Sequence, residues 1–271
     1  MTRIAVLQMT SGIDPEGNAA AIVSAVGATE YGGATMLFTP EMSGLIDRKR
    51  ERATTHIVAE DEDPVLAAVR DAAARAGIWV ALGSLAVKRA DGAWANRSLL
   101  IDSSGNIAAR YDKIHMFDVD LASGERWRES SAYGAGDKVV TAPTPIGRLG
   151  LSICYDIRFP ALFEALGNQR CDVIAIPAAF TVPTGEAHWH LLQRARAVES
   201  SAYVVAAAQV GQHADGRSTY GHSLVVDPWG DVLLDMGGEA PGIGFADIDP
   251  ARLAAVRAQL PSLANRRKIA N

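Results

Sequence analysis

Apolar and polar positions along this chain switch repeatedly between two periods. Short apolar or alternating runs read as strands, and amphipathic stretches with a 3.6-residue repeat read as helices. RIAVLQM (3–9) predicts a first strand. DPEGNAAAIVSAVGATEYGG predicts the helix after it, with Asp14 as N-cap, Pro15 at the first helical position and a glycine pair at the stop. ATMLFTPE (34–41) reads as a strand ending at Glu41, and PVLAAVRDAAARAG (64–77) as an alanine-rich helix. IWVALGSLAV (78–87) and NRSLLID (96–102) are strands. After a turn at Ser103–Asn106, IAARYDK is another, ending at Lys113.

The stretch 114–137 loses all periodicity and is rich in Gly, Ser and charge. An irregular segment of that length inside a compact domain is usually functional. Beyond it, Leu149–Ile153 forms a strand that runs into Cys154, and Pro160 is placed to open a helix. DVIAIPA (172–178), YVVAAAQV (203–210), HSLVVD (222–227) and GIGFADI (242–248) read as strands, with helices over 186–200 and 250–259. DPWG, ending in Trp229-Gly230, is a turn between two strands. Strands and helices alternate with no internal repeat, low-complexity tract or linker. This predicts an α/β protein of one domain over 1–271, with its core in 3–248.

Composition narrows the classes. The 271 residues suffice for a substantial core, and 48% apolar with 21% charged residues is ordinary for a globular chain. A net charge of −5 disfavours a nucleic-acid surface, and the RRK at 266–268 reads as a solvated tail. No apolar run reaches the roughly 18 residues that suggest a membrane span. MTRIAVLQMTSG reads as a strand and not as a signal peptide. Cys154 and Cys171 form neither a disulfide framework nor a metal pattern, so a cytoplasmic, reducing compartment is expected. Cys171, at the entry to a buried strand, reads as structural.

Chemistry enters with GRLGLSICYDIRFP (147–160). A cysteine at a strand-to-helix turn sits at a sheet edge, where helix amides can favour its thiolate. A buried structural thiol is the other reading of this segment. Glu41, Lys113 and Cys154 are all expected at C-terminal ends of strands, the edge where α/β sheets bind ligands; Glu129 lies in the irregular segment. Arg158, four positions after the cysteine, suits either a bidentate grip on a substrate carboxylate or a structural ion pair with Asp156 or a neighbour.

LFTPEMSG around Glu41, YDKIHMFD around Lys113 and LSICYDIRFP around Cys154 resemble the nitrilase, or carbon–nitrogen hydrolase, superfamily. AAFTVPTGEAHWHLLQRARAVE, YVVAAAQVG and YGHSLVVDPWG extend the resemblance over about 3–248. FDVD, RESS and AFTVPTG are most similar to its Nit branch, in particular to members acting on deaminated glutathione. The resemblance implies a four-layer α-β-β-α sandwich, pairing of subunits into at least a homodimer, and an amidase without metal or cofactor. It would release ammonia from a primary amide of a small acidic substrate. Deaminated glutathione comes first as substrate, with α-ketoglutaramate or α-ketosuccinamate (an ω-amidase) as the alternative. Cys154 would form a thioester, Glu41 would carry protons if burial raises its pKa, and Lys113 would stabilise the oxyanion with the Tyr155 N–H. Glu129 would hold Lys113 and the substrate amide. Phe180 and Thr184 resemble positions lining the acyl pocket; a plain strand-to-helix loop is their other reading.

Some signals point elsewhere. His188 and His190 form an HxH pair, but residues two apart on a helix face different ways and no third ligand is near in sequence, so no metal site is expected. The resemblance departs at His190, where relatives usually have Glu, and at Cys171 and Ala161. No GxSxG, GxxxxGK[ST] or GxGxxG motif occurs. A nitrilase proper, an N-carbamoyl amino-acid hydrolase and a non-catalytic binding protein on the same scaffold are the remaining alternatives.

Overall fold

The computed structural model describes residues 1–122, 124, 126–267 and 269; Lys268 of the basic tail lies outside them. The chain runs β1 (Thr2–Gln8), α1 (Pro15–Tyr31), β2 (Met36–Phe38), α2 (Arg50–Thr54), α3 (Pro64–Ala76), β3 (Trp79–Lys88), β4 (Trp94–Ile101) and β5 (Ile107–Asp112). A hairpin of β6 (Asp118–Asp120) and β7 (Arg126–Arg128) follows, then β8 (Thr141–Thr144), β9 (Gly147–Leu151), α4 (Pro160–Asn168), β10 (Val173–Ala175) and α5 (Val182–Ser200). The chain closes with β11 (Tyr203–Ala206), a hairpin of β12 (Val210–Gln212) and β13 (Ser218–Tyr220), β14 (Leu224–Val226), β15 (Val232–Asp235), β16 (Gly242–Ile248) and α6 (Pro250–Gln259).

Two six-stranded sheets, ordered β16-β1-β2-β3-β4-β5 and β15-β14-β11-β10-β9-β8, face each other. Strand alternation decides which side chains fill which layer. Ile4, Val6, Met36 and Phe38 point inward and pack with Leu149, Leu151, Val173 and Val205 of the other sheet. Ala5, Leu7 and Leu37 point outward onto Ile22 and Val26 of α1 and Val65, Leu66 and Val69 of α3. Leu162, Phe163, Trp189 and Ala197 of α4 and α5 cover the far side of the second sheet. The result is the expected α-β-β-α sandwich.

Helix caps follow the sequence. The Asp14 carboxylate accepts from the Glu16 and Gly17 N–H groups, Asp63 accepts from Leu66, and Asp249 from Ala251, each before a proline in the first turn. Strands are shorter than their apolar runs. The run 34–41 pairs only over Met36–Phe38, and 172–178 only over Val173–Ala175. YVVAAAQV divides into β11 and the start of β12. Backbone that leaves a ladder to build a site keeps its apolar character, so periodicity overruns the pairing. Helix α5 begins at Val182, four residues before its expected start, because Pro183 sits in its first turn and does not precede it. The irregular segment holds β6, β7 and a 3₁₀ turn at Glu129–Ser131.

Candidate active site

Glu41, Lys113 and Cys154 each lie just past a strand instead of inside it. Thr39-Pro40 carries the chain from β2 to Glu41, lying directly on β3 at Gly83. A Cβ there would stand 2.1 Å from the Thr39 carbonyl oxygen, so no larger residue fits. The Gly83 N–H also donates to Thr39 Oγ1 at 2.9 Å. Lys113 follows β5 by one residue, its N–H donating to the Asn96 carbonyl on β4 at 2.9 Å. Strand β9 stops at Leu151, and Cys154 opens a short 3₁₀ turn with φ +47°, a left-handed conformation unfavourable for a residue with a Cβ.

Asp156 pins that turn. Fully buried, it accepts from the Ile153 N–H (2.9 Å), the Tyr111 hydroxyl (2.6 Å) and the His115 N–H (3.0 Å), and pairs with His115 Nδ1 (2.7 Å). One carboxylate thus ties the cysteine turn to the end of β5 and the residues after Lys113. Burial first, then the charge of Asp156, raises the Tyr111 hydroxyl far above its ordinary range, so the phenol stays a donor. With both Asp156 oxygens engaged, the Arg158–Asp156 ion pair weighed from the sequence does not form. Arg158 instead donates to His188 Nδ1 at 3.3 Å and lies over Tyr155 and Phe180.

Lys113 is 2% exposed, and its Nζ stands 2.9 Å from Glu41 Oε1 and 2.9 Å from Glu129 Oε2. Burial works against its charge, but Glu129 and Glu41 outweigh it and hold the ammonium well above its ordinary pKa. Glu41 Oε2 accepts from the Ala179 N–H at 2.9 Å, and Glu129 Oε2 from the Phe117 N–H at 2.7 Å. Asn96 of β4, which the sequence does not single out, donates through Nδ2 to Glu41 (2.9 Å) and Glu129 (3.1 Å). Its Oδ1 is buried without a partner among the described residues. The NRS tripeptide holds no local signal of catalysis, and the role of Asn96 is visible only when both glutamates stand beside it.

Cys154 is buried beside this cluster, and burial, then the Glu41 charge, raises its thiol well above the ordinary range, with Lys113 opposing. The expectation that helix amides favour a resting thiolate is corrected: α4 begins only at Pro160, and burial with the Glu41 carboxylate outweighs the Lys113 ammonium and the Ala179 backbone at the sulfur. Glu41, Lys113, Glu129, Cys154, Tyr155, Arg158, Phe180 and Thr184 all border one cavity of about 450 Å³. Phe180, in the loop before α5, packs on Trp189 with ring centres 4.9 Å apart, and Thr184 Oγ1 in the first turn of α5 meets Thr181 Oγ1 at 2.7 Å. Chemically, the cavity offers a thiol, a carboxylate able to exchange a proton with it, and a charged ammonium.

Cys171 is fully buried away from this cavity, its thiol pushed up to about 12 chiefly by burial. His190 has neighbours that lie far from it in sequence. Asp235 of β15 pairs with His190 at 3.0 Å and His222 at 2.9 Å, and one ligand atom from each residue lies within 4.8 Å of the others. His222 and Asp235 therefore stand near His190, with Asp235 bridging the two rings. None of the three borders the cavity.

Residues 3–258 match the family described as carbon-nitrogen hydrolase. Over 274 residues the chain is 39% identical to a deaminated glutathione amidase of Yersinia enterocolitica, covering 99% of this chain and 94% of that one. It superposes at TM-score 0.89 on the C. elegans NitFhit protein, with 38% identity over 98% of this chain and 65% of the other. A mutant of the amidase from Nesterenkonia sp. AN1, bearing the product of acrylamide addition at its active site cysteine, superposes at 0.80 (27% identity, 96% and 98% covered).

Proposed function

Since the chain belongs to the carbon–nitrogen hydrolase family and is an amidase of that family, we propose that Cys154, Glu41, Lys113 and Glu129 are its catalytic set and deaminated glutathione its substrate. The buried ammonium held 2.9 Å from both carboxylates, in the cavity that Cys154 borders, is the observation that carries this reading.

The chemistry follows from the electrostatics. The resting thiol is protonated, so sulfur attacks the acyl carbon as its proton passes to Glu41. The carbonyl oxygen takes up negative charge beside Lys113 and the Tyr155 N–H, donors of a kind whose loss typically costs about 2.7–4 kcal/mol of transition-state stabilisation. The C–N bond then breaks and Glu41 returns the proton to the departing nitrogen. Water, deprotonated by Glu41, attacks the thioester carbon and frees the acid and the thiol. Glu129 keeps Lys113 charged and in place.

Deaminated glutathione is glutathione with a keto oxygen in place of its amino group. The acyl carbon to be attacked bears the nitrogen of cysteinylglycine, so the leaving group is a peptide amine. The expected ammonia release therefore belongs to the ω-amidase substrates, which are primary amides, and product analysis separates the two classes. Arg158 binds a carboxylate on the acyl side, and Phe180 and Thr184 shape the acyl pocket. Arg158→Ala then raises KM for acidic amides and spares neutral ones; an equal loss on both removes the assignment.

The test of the catalytic set is mass spectrometry of enzyme quenched during turnover. An α-ketoglutaryl adduct on Cys154 is expected, with Cys154→Ala giving neither adduct nor product. Absence of turnover across deaminated glutathione, α-ketoglutaramate, glutamine and simple nitriles would favour a binding protein. A cytoplasmic setting suits the two free thiols. The protein pairs through the outer face of α5, where Leu191 is 67% exposed, as a homodimer.

A further inference from the structure

The cavity is lined by six arginines, Arg48, Arg50, Arg126, Arg128, Arg158 and Arg217, in a protein whose net charge is −5. They stand in separate places. Arg158 lies over Tyr155, next to the nucleophile, at 5.9 Å and over Phe180 at 5.5 Å. Arg48 and Arg217 lie over a different ring, Trp127, at 5.5 and 5.1 Å. This pair shares a single carboxylate, Asp215, at 4.0 and 2.8 Å, and the Asp215 side chain is 0% exposed. Asp47, also covered and bordering the cavity, pairs with Arg52 and acts on Arg217, so three guanidiniums on two covered carboxylates leave positive charge in surplus at the wall. Beside them, Trp127 Nε1 is buried without a hydrogen-bond partner among the described residues. The wall between the two stations is aromatic: Tyr155 to Phe117 is 5.1 Å between ring centres, and Phe117 to Trp127 is 6.2 Å.

We propose that Arg48 and Arg217, seated on Trp127, form a leaving-group subsite for the terminal carboxylate of a short peptide amine. The inference rests on the amidase reading above and deepens it. The substrate is a dicarboxylate whose scissile amide lies between its acidic ends, one end at Arg158 and the other at the Trp127 station. Arg217 holds Asp215 through Nε and Nη2, which leaves its Nη1 and the loosely paired Arg48 guanidinium to give charge-assisted hydrogen bonds to a carboxylate, with the indole N–H as a further donor beside them. An extended two-residue leaving group spans about 7 Å, the scale of the ring-to-ring steps along the wall. A substrate that releases ammonia leaves the subsite empty, so the subsite selects peptide amides over primary ones.

The experiment compares three substrates on wild type, Arg48→Gln, Arg217→Gln, the double variant and Arg217→Lys. The substrates are deaminated glutathione, the same molecule with its glycine carboxylate amidated, and α-ketoglutaramate. On deaminated glutathione the double variant is expected to lose roughly 100-fold in kcat/KM, mostly through KM, with Arg217→Lys partly restoring it. On α-ketoglutaramate it stays within about twofold of wild type, which also shows that the variant is folded. Wild type is expected to disfavour the amidated substrate by at least about tenfold, and the double variant to treat both alike. Indifference of wild type to amidation, or equal losses on all three substrates, overturns the subsite while leaving the amidase intact. Turnover of α-ketoglutaramate without any of deaminated glutathione removes the substrate reading itself, and the subsite with it.

Discussion

Glu41 touches Lys113 and Asn96 with one oxygen and the Ala179 N–H with the other. It is also one of the groups that raise the Cys154 thiol. Glu41→Gln keeps the size and removes the charge, while Lys113, which opposes the rise, stays. The thiol titration, followed by the ultraviolet absorbance of the thiolate, is therefore expected to move to lower pH. Turnover is nevertheless lost, since no base remains to move protons. An unchanged or higher titration midpoint would show that the carboxylate does not act on the sulfur. Sequence pattern pointed to Glu41, Lys113 and Cys154 because each closes an apolar run. Asn96 and Asp156 were illegible, as neither closes a run; their roles come from what faces them across space.

At the scale of elements, two short pieces hold the cavity together. The cysteine turn depends on the Tyr111–Asp156 hydrogen bond of 2.6 Å. Tyr111→Phe removes one partner of a buried carboxylate, and a stability loss of about 1–3 kcal/mol is expected in denaturant unfolding. A loss within error would mean that Ile153 and His115 suffice. The hairpin of β12 and β13, which brings Arg217 to the cavity, is tied down by His213. Its Nδ1 meets the Ser11 carbonyl at 2.8 Å and must donate there, so Nε2, 2.8 Å from Thr219 Oγ1, accepts in the neutral ring. Burial, chiefly, lowers the His213 pKa below its ordinary 6.5. Below pH 6.5 the unfolded chain takes up a proton that the folded ring resists, so stability is unaffected above that pH and falls as pH drops through it. Tm measured from pH 7.5 to 5 should decline more steeply for wild type than for His213→Gln; parallel curves would free His213 from this role.

For the molecule as a whole, the two sheets bring together residues that the chain holds far apart. The outer face keeps apolar positions that no described residue covers. Leu191 and Val198, seven apart on α5, are 67% and 43% exposed, with Trp229 of the β14–β15 turn at 43%. Residues at that spacing share one helix face. Sedimentation is expected to give a dimer for wild type and a monomer for Leu191→Asp; a monomeric wild type would end the pairing proposal. The cationic cavity in an acidic protein also has a consequence at this scale. Association with an anionic substrate should weaken with salt more than that of a neutral amide.

Alternating periods of 2 and 3.6, aspartate caps and first-turn prolines are local properties, so the chain by itself determined the strand–helix order, most helix starts and the class of layered α/β fold. Motif wording also marked the thiol, the two glutamates and the lysine. Tertiary structure alone decided where each strand stops pairing, because departure from a ladder depends on what the neighbouring strand offers. It alone set the thiol's resting protonation, because burial and the charges that reach a sulfur come from residues distant in sequence. It also decided the fate of each arginine. Asp156 was next in line for Arg158 along the chain, yet its oxygens were taken by Tyr111, His115 and Ile153, and the guanidinium was left to the cavity.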